Sequence, residues 1–189
     1  SAQRVIQQFG THYYEFVPCP IHCDWVSSFS PCAFEIRLPS LLLQNEARSF
    51  YQAPSRTYNN LPGYLATITS AAENDFVQQL VSAHSIQYSG SGVVGGVWLG
   101  AFHDDVDTWR WQTGPDVGVP FFTWHYGGPD LQLNFTAWRG GQPNPGYEGC
   151  LAMGPQFAPG WFTEYCGAAL EGYVLEYSDR ELCCPSLRR

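Results

Sequence analysis

The sequence predicts an α+β fold on three observations. One helix is clearly capped and amphipathic, the second half of the chain is rich in short strand patterns, and a long Gly-, Pro- and aromatic-rich stretch separates those strands. At 189 residues and 44% hydrophobic content the chain can bury one sizeable core. A single domain over residues 1–189 is therefore expected, decorated by a Cys/Pro-rich insertion at about 18–40 and a Cys-containing tail over 178–189.

In chain order, Thr11 to Val17 (THYYEFV) is dense in aromatic residues and predicts a strand that stops at Pro18. From there to about Pro39, with Cys19, Cys23 and Cys32, the chain reads as an irregular, stapled insertion. Between Leu41 and Tyr58, the near-helical spacing of Leu42, Ala47, Phe50 and Tyr51 predicts a first helix, kinked or ended by Pro54. A second helix is better marked. Ser70-Ala71-Ala72-Glu73 is a capping-box pattern, Phe76, Val77, Leu80 and Val81 form an apolar stripe, and Asp75, Gln78, Gln79 and Ser82 form the opposite face. Ser89 to Gly96 reads as a Gly/Ser turn, followed by strands at Val97–Ala101, Thr108–Thr113, Cys150–Met153 and Tyr173–Tyr177. The stretch from Gly114 to Gly149 is the kind of loop region on which a scaffold carries function.

Charge excludes some partners. A formal net charge of -8 and a pI near 4.9 argue against nucleic acid, whose phosphates need a Lys/Arg surface, and against an anionic membrane surface. No apolar run approaches the roughly 20 residues that span a bilayer; Leu41, Leu42 and Leu43 run straight into Gln44, Asn45 and Glu46. Ser1 to Arg4 show no charged-then-apolar leader. Seven cysteines and the N-glycosylation sequon Asn134-Phe135-Thr136 predict an oxidising, extracellular location for a secreted protein. The odd cysteine count leaves at least one thiol for a free state, another chain or another segment.

None of the five histidines sits in a nucleophile or zinc-helix motif, so no enzymatic activity is expected. Cys19-Pro20-Ile21-His22-Cys23 resembles half a metal site, but no second ligand pair follows at finger spacing.

Four segments in this order resemble the C-type lectin-like domain family. They are Gly63-Tyr64-Leu65-Ala66-Thr67-Ile68-Thr69-Ser70 running into the Glu73 helix, Val97-Trp98-Leu99-Gly100-Ala101, Gln142-Pro143-Asn144, and Gly160-Trp161 leading to Cys166 and Gly172-Tyr173-Val174-Leu175-Glu176. Gly114-Pro115-Asp116-Val117-Gly118 resembles the variant found in bacterial and protist members. The resemblance covers roughly Thr11 to Tyr177. It implies the C-type lectin-like fold: two helices packed on twisted antiparallel sheets, with a long loop region held by a second small sheet. It also implies a loop disulfide between Cys150 and Cys166, sixteen positions apart. The family's other disulfide falls on Tyr58 and Leu175, where an apolar contact would replace it. Because the family's termini pair in adjacent strands, at least one bridge is expected between Cys19, Cys23, Cys32 and the tail's Cys183, Cys184.

The same resemblance implies a candidate site. In the family a calcium ion that accepts sugar hydroxyls is held around a Glu/Gln-Pro-Asn/Asp tripeptide, an acidic residue two before the loop cysteine, and an Asn-Asp pair after the Trp. Gln142, Asn144 and Glu148 match the first three positions, with a cis proline expected between the first two. The Asn-Asp pair is replaced by Phe162-Thr163, leaving Glu148 as the one charged ligand unless Glu164 substitutes. Two roles therefore fit these residues: a Ca2+ site, or hydrogen bonds that shape the loop. Asp104, Asp105 and Asp107 resemble an auxiliary calcium region and equally suit a solvated turn. Among the loop-half aromatics Trp124, Tyr126, Trp138, Tyr147 and Phe162, exposed rings would stack on sugars or anchor a protein. Trp138 and Tyr147 are the main candidates, while Trp98, Trp109, Trp111 and Trp161 read as core.

The expected function is recognition of a carbohydrate or glycoprotein through the long-loop face. The alternatives are a structural subunit of an extracellular filament, coat or matrix, joined by the left-over cysteine, and a face that binds ice or protein without calcium.

Overall fold

An aromatic strand near one end of the chain pairs with an apolar strand near the other, and the rest of the sheet is laid against that pair. The computed structural model describes residues 4–23, 56–84, 94–103, 107–125, 129–144, 149–168 and 170–178. In chain order these form β1 (Ile6–Phe9), β2 (His12–Cys23), β3 (Thr57–Tyr58), β4 (Leu61–Leu65), α1 (Ala71–Ser82), β5 (Val94–His103), β6 (Thr108–Trp111), β7 (Pro120–Thr123), β8 (Leu131–Gln132), β9 (Cys150–Met153), β10 (Trp161–Glu164) and β11 (Leu170–Tyr177). Strand β2 lies antiparallel to β11, with Tyr13 opposite Tyr177 and Val17 opposite Tyr173. The main path runs β1-β2-β11-β5-β6-β7-β8, with β4 also on β11, and β9 on β5 and β10.

The sheet is mixed, not purely antiparallel, because β5 runs parallel to β11 with Val97 opposite Gly172. Strand β2 also does not stop at Pro18. Proline lacks the N–H that a neighbouring strand would need, so it belongs where one edge is free. Strand β1 pairs only with His12–Glu15, and past that point β11 alone lies against β2 among the described residues.

The expected first helix falls on residues 41–55, outside the described residues, except at its end. There Thr57–Tyr58 is a strand, turned into β4 by Asn59 and Asn60 at φ 49° and 63°. Two consecutive positive φ values make the hairpin turn whose twist matches its strands, and Asn tolerates them. Tyr58 packs on the apolar cluster that holds Leu175, Leu65 and Trp98, in line with an apolar contact at the positions of the missing disulfide.

Helix α1 begins where its sequence pattern put it. Ser70 is the N-cap and its hydroxyl accepts from Glu73 N at 3.2 Å. The reciprocal half of the capping box is shifted by one residue, since Glu73 Oε2 accepts from Thr69 N at 2.8 Å. Val77, Leu80 and Val81 are buried and Phe76 packs on Phe9 and Tyr14. The polar face is not wholly solvated: Gln78 donates to Gly154 O at 3.0 Å, and Asn74 accepts from Trp161 Nε1 at 2.9 Å. These bonds fix the β9–β10 hairpin on the helix, and β10 carries the loop described next.

Of the expected strands, Cys150–Met153 is found unchanged and Tyr173–Tyr177 starts earlier, at Leu170. Strand β5 begins at Val94, so residues 94–96 of the expected Gly/Ser turn are strand, and residues 89–93 lie outside the described residues. The long loop contains β7 and β8, which continue the β6 edge as a meander. Trp98, Trp109, Trp111 and Trp161 are core residues. Gly100 lies where β5 crosses the end of β4, and a Cβ there would come within 2.1 Å of Thr113 Oγ1 and 2.7 Å of Leu65 O.

Candidate functional site

The loop that carries Gln142 and Asn144 is tied to β10 at several points. Trp161 N donates to Ala137 O at 2.7 Å and Arg139 N to Trp161 O at 3.0 Å. A turn closes from Gln142 N to Arg139 O at 3.0 Å, and the Gln142-Pro143 bond is cis. The Arg139 guanidinium lies 4.1 Å above the Phe162 ring, a cation–π contact that covers the buried phenyl group. The disulfide Cys150–Cys166 closes the region from below, with Cα atoms 5.2 Å apart.

At the centre of this arrangement is the Gln142 side chain. Its Oε1 accepts from Thr163 N at 2.9 Å, from Thr163 Oγ1 at 2.9 Å and from Asn144 N at 3.2 Å. Asn144 N also reaches Thr163 Oγ1 at 3.2 Å. A carbonyl oxygen has two lone pairs, so three donors leave this one with little capacity for a cation. Calcium takes six to eight oxygen ligands, usually with several carboxylates. Among the described residues the loop offers that engaged amide oxygen, the exposed Asn144, and Glu164, whose Oε1 accepts from Tyr165 N at 3.0 Å. These donors do not fit a calcium ion. Tyr147 and Glu148 lie outside the described residues, and Glu148 would add one carboxylate.

The other candidates are placed as follows. Trp138 is half-buried, with its ring 5.3 Å from Trp109, 5.6 Å from Phe122 and 5.8 Å from Trp161, and its Nε1 has no hydrogen-bond partner among the described residues. Phe162 is 1% exposed, so it is core and not a stacking surface. Trp124 is half-buried against the core, and Tyr126 is outside the described residues. Asp107 is exposed, at φ 58°, with its Oδ1 3.6 Å from His103 Nε2. Asp104 and Asp105 are outside the described residues, as are Cys32, Cys183 and Cys184. The side chains of Cys19 and Cys23 are likewise not described. Asn134 is exposed beside the edge strand β8, and its Nδ2 donates to Pro120 O at 2.8 Å.

Two buried polar networks flank β2, one on each face. On one face Glu15, 2% exposed, accepts from Arg4 Nη2 at 2.7 Å, Arg56 Nη1 at 2.7 Å and the Tyr177 hydroxyl. Burial pulls its carboxyl up, but the Arg4 and Tyr177 hydrogen bonds and the two arginine charges outweigh that and hold it below the ordinary carboxylate range. On the other face the His12 ring nitrogen and the Glu73 and Glu176 carboxylates lie within 4.8 Å of one another. Every carboxylate oxygen there is met by a protein donor: Glu73 by the Tyr14 hydroxyl and Thr69, Glu176 by His12, the Tyr64 hydroxyl and Thr67. Neither network figures in the motif reading. The available signal was a lone carboxylate inside an apolar strand, Glu15 in THYYEFV and Glu176 in YVLEY.

No family model matches this sequence. Over 123 residues, 64% of the chain, it is 29% identical to halomucin of Haloquadratum walsbyi, and it spans 1% of that protein's length. Among solved structures it is similar to the C-type lectin CEL-I of Cucumaria echinata, at 18% identity and TM-score 0.55, covering 92% of this chain and 94% of that one. It is also similar to the herring type II antifreeze protein, at 18% identity and TM-score 0.53, covering 90% and 94%. At such identities the likeness is one of fold.

Proposed function

We infer that this chain, which has the C-type lectin-like fold, is a non-enzymatic extracellular recognition domain that binds a carbohydrate or glycoprotein through its long-loop face without a bridging calcium ion. The fold alone does not choose a ligand, because it serves as a lectin in CEL-I and as an antifreeze protein in herring. The observation that carries the reading is the Gln142 side chain, which does the loop-ordering work itself by accepting from both ends of the tripeptide–β10 contact. That leaves Asn144 exposed on a rigid support, able to exchange hydrogen bonds with sugar hydroxyls. Such preorganisation lowers the ordering cost of binding. The disulfide and the exposed Asn134 sequon support an oxidising, glycan-bearing environment.

The test is retention on a panel of immobilised glycans and glycoproteins, in chelator and in added calcium. Equal retention in both, lost in Asn144→Ala, is the expected result. Retention only with calcium, or none on any glycan, overturns the reading.

A second reading, a module of an extracellular assembly, is favoured by the match to a short part of a protein as long as halomucin. It predicts disulfide-linked multimers on non-reducing electrophoresis, through one of Cys19, Cys23, Cys32, Cys183 and Cys184.

A further inference from the structure

We propose that His12 is a proton-operated clamp joining strand β2 to helix α1 and strand β11, so that the packing of the N-terminal hairpin and the helix tightens when the ring is protonated and loosens when it is not. His12 is the first residue of β2, directly after the turn at Gly10 and Thr11. Its Nδ1 lies 2.6 Å from Glu176 Oε1 on β11, a side chain that is 0% exposed. The elements packed around the ring present further groups. Glu73 faces it from α1, Asp116 from the turn between β6 and β7, the Tyr14 hydroxyl from β2 itself and the Tyr64 hydroxyl from β4, while β1 offers only Phe9 across the ladder.

Two carboxylates, Glu176 and Glu73, thus lie within 4.8 Å of one imidazole nitrogen, and Asp116 adds its charge from the turn between β6 and β7. The nearby arginines, Arg4 and Arg56, are committed to Glu15 on the opposite face of β2. Side chains alternate along a strand, so His12 and Tyr14 serve one network and Glu15 the other. His12 is the one cation among these groups. When it loses its proton, one neutral tautomer keeps the hydrogen bond to Glu176, but the charge assistance disappears and the carboxylates face one another uncompensated. The ring is 36% exposed, so it equilibrates with solvent protons while its partner stays buried.

The direction follows from linkage. The Glu176 hydrogen bond holds the His12 proton above the ordinary histidine value against desolvation, and the charges of Glu176, Glu73 and Asp116 add to it. Burial moves the Glu176 and Asp116 carboxyls up as well. In each case the folded state keeps a proton that the unfolded chain gives up. The His12 contribution is therefore fully present below the ordinary value of about 6.5 and is lost as pH rises through the higher folded value.

The experiment is a ring-proton NMR titration of His12 in the intact chain, with melting temperature followed from about pH 5 to about pH 8, on either side of the ordinary histidine value. The expected results are a His12 midpoint above that of a free histidine and a melting temperature that falls across the His12 titration. His12→Gln should flatten that slope to the part that Glu176 and Asp116 carry, and His12→Lys should stay nearer the high plateau. A His12 midpoint at or below the free value overturns the proposal even if the variants fail to fold. So does a His12→Gln chain that keeps the wild-type slope.

Discussion

Replacing Gln142 by Ala separates a hydrogen-bonded staple from a metal ligand. The substitution removes the acceptor of Thr163 N and Thr163 Oγ1 at 2.9 Å and of Asn144 N at 3.2 Å. Asn144 is exposed and its N–H still reaches Thr163 Oγ1, so that loss is small. Thr163 is 2% exposed, and water cannot readily replace the acceptor lost by its backbone N–H. Depriving a buried donor costs about 1–3 kcal/mol, so a loss of about 2 kcal/mol is expected. Urea unfolding followed by tryptophan fluorescence measures it, with wild type, Gln142→Ala and Gln142→Glu compared in chelator and in calcium. Gln142→Glu should recover most of the loss, because a carboxylate oxygen accepts from the same donors. The Ala variant should be weakened equally in both media. An Ala variant as stable as wild type, or one weakened only when calcium is present, would show that Gln142 is not a hydrogen-bonded staple.

Three further outcomes are expected. Gly100→Ala should cost roughly 2–4 kcal/mol by thermal unfolding, because its Cβ would displace Thr113 Oγ1 from the 2.6 Å bond to Leu65 O; a neutral effect would show that β5 and β4 are not in this contact. Removing Cys150 and Cys166 together should cost roughly 3 kcal/mol, the chain-entropy value for a closed loop of this size, as read from the shift in urea midpoint. Glu15→Gln should flatten the acid limb of the stability curve: a carboxyl held low contributes stability above its unfolded value and loses it as pH falls through the folded one. An unchanged acid limb would remove Glu15 from the account.

Much of this architecture was legible because it depends on local rules. The helix start is written in Ser70 and Glu73, where hydroxyl and carboxylate serve the free N–H groups of the first turn. Strand β9 is an unbroken apolar run, and the Trp core follows from ring size and burial. The rest is decided by tertiary context. Pro18 ends a strand only if both edges are paired, and among the described residues β11 alone pairs with β2 there. The tight turn at Asn59 and Asn60 was readable, but the apolar spacing upstream masked it. At the candidate site the residue types were found, and their orientation was not. Whether Gln142 points at an ion or at Thr163 depends on how β10 meets the loop, a contact between residues 21 positions apart. The two buried networks needed the β2–β11 register, which brings Glu15 and Glu176 beside groups far away in the chain.

The proposed recognition of a ligand without an ion rests on a loop ordered by Gln142. Calorimetric titration of calcium into the metal-free protein, with and without simple sugars, tests it most directly. No saturable heat from calcium is expected, and sugar binding should be the same in its absence. Saturable calcium uptake that switches on sugar binding would contradict it and make Gln142, Asn144 and Glu148 metal ligands.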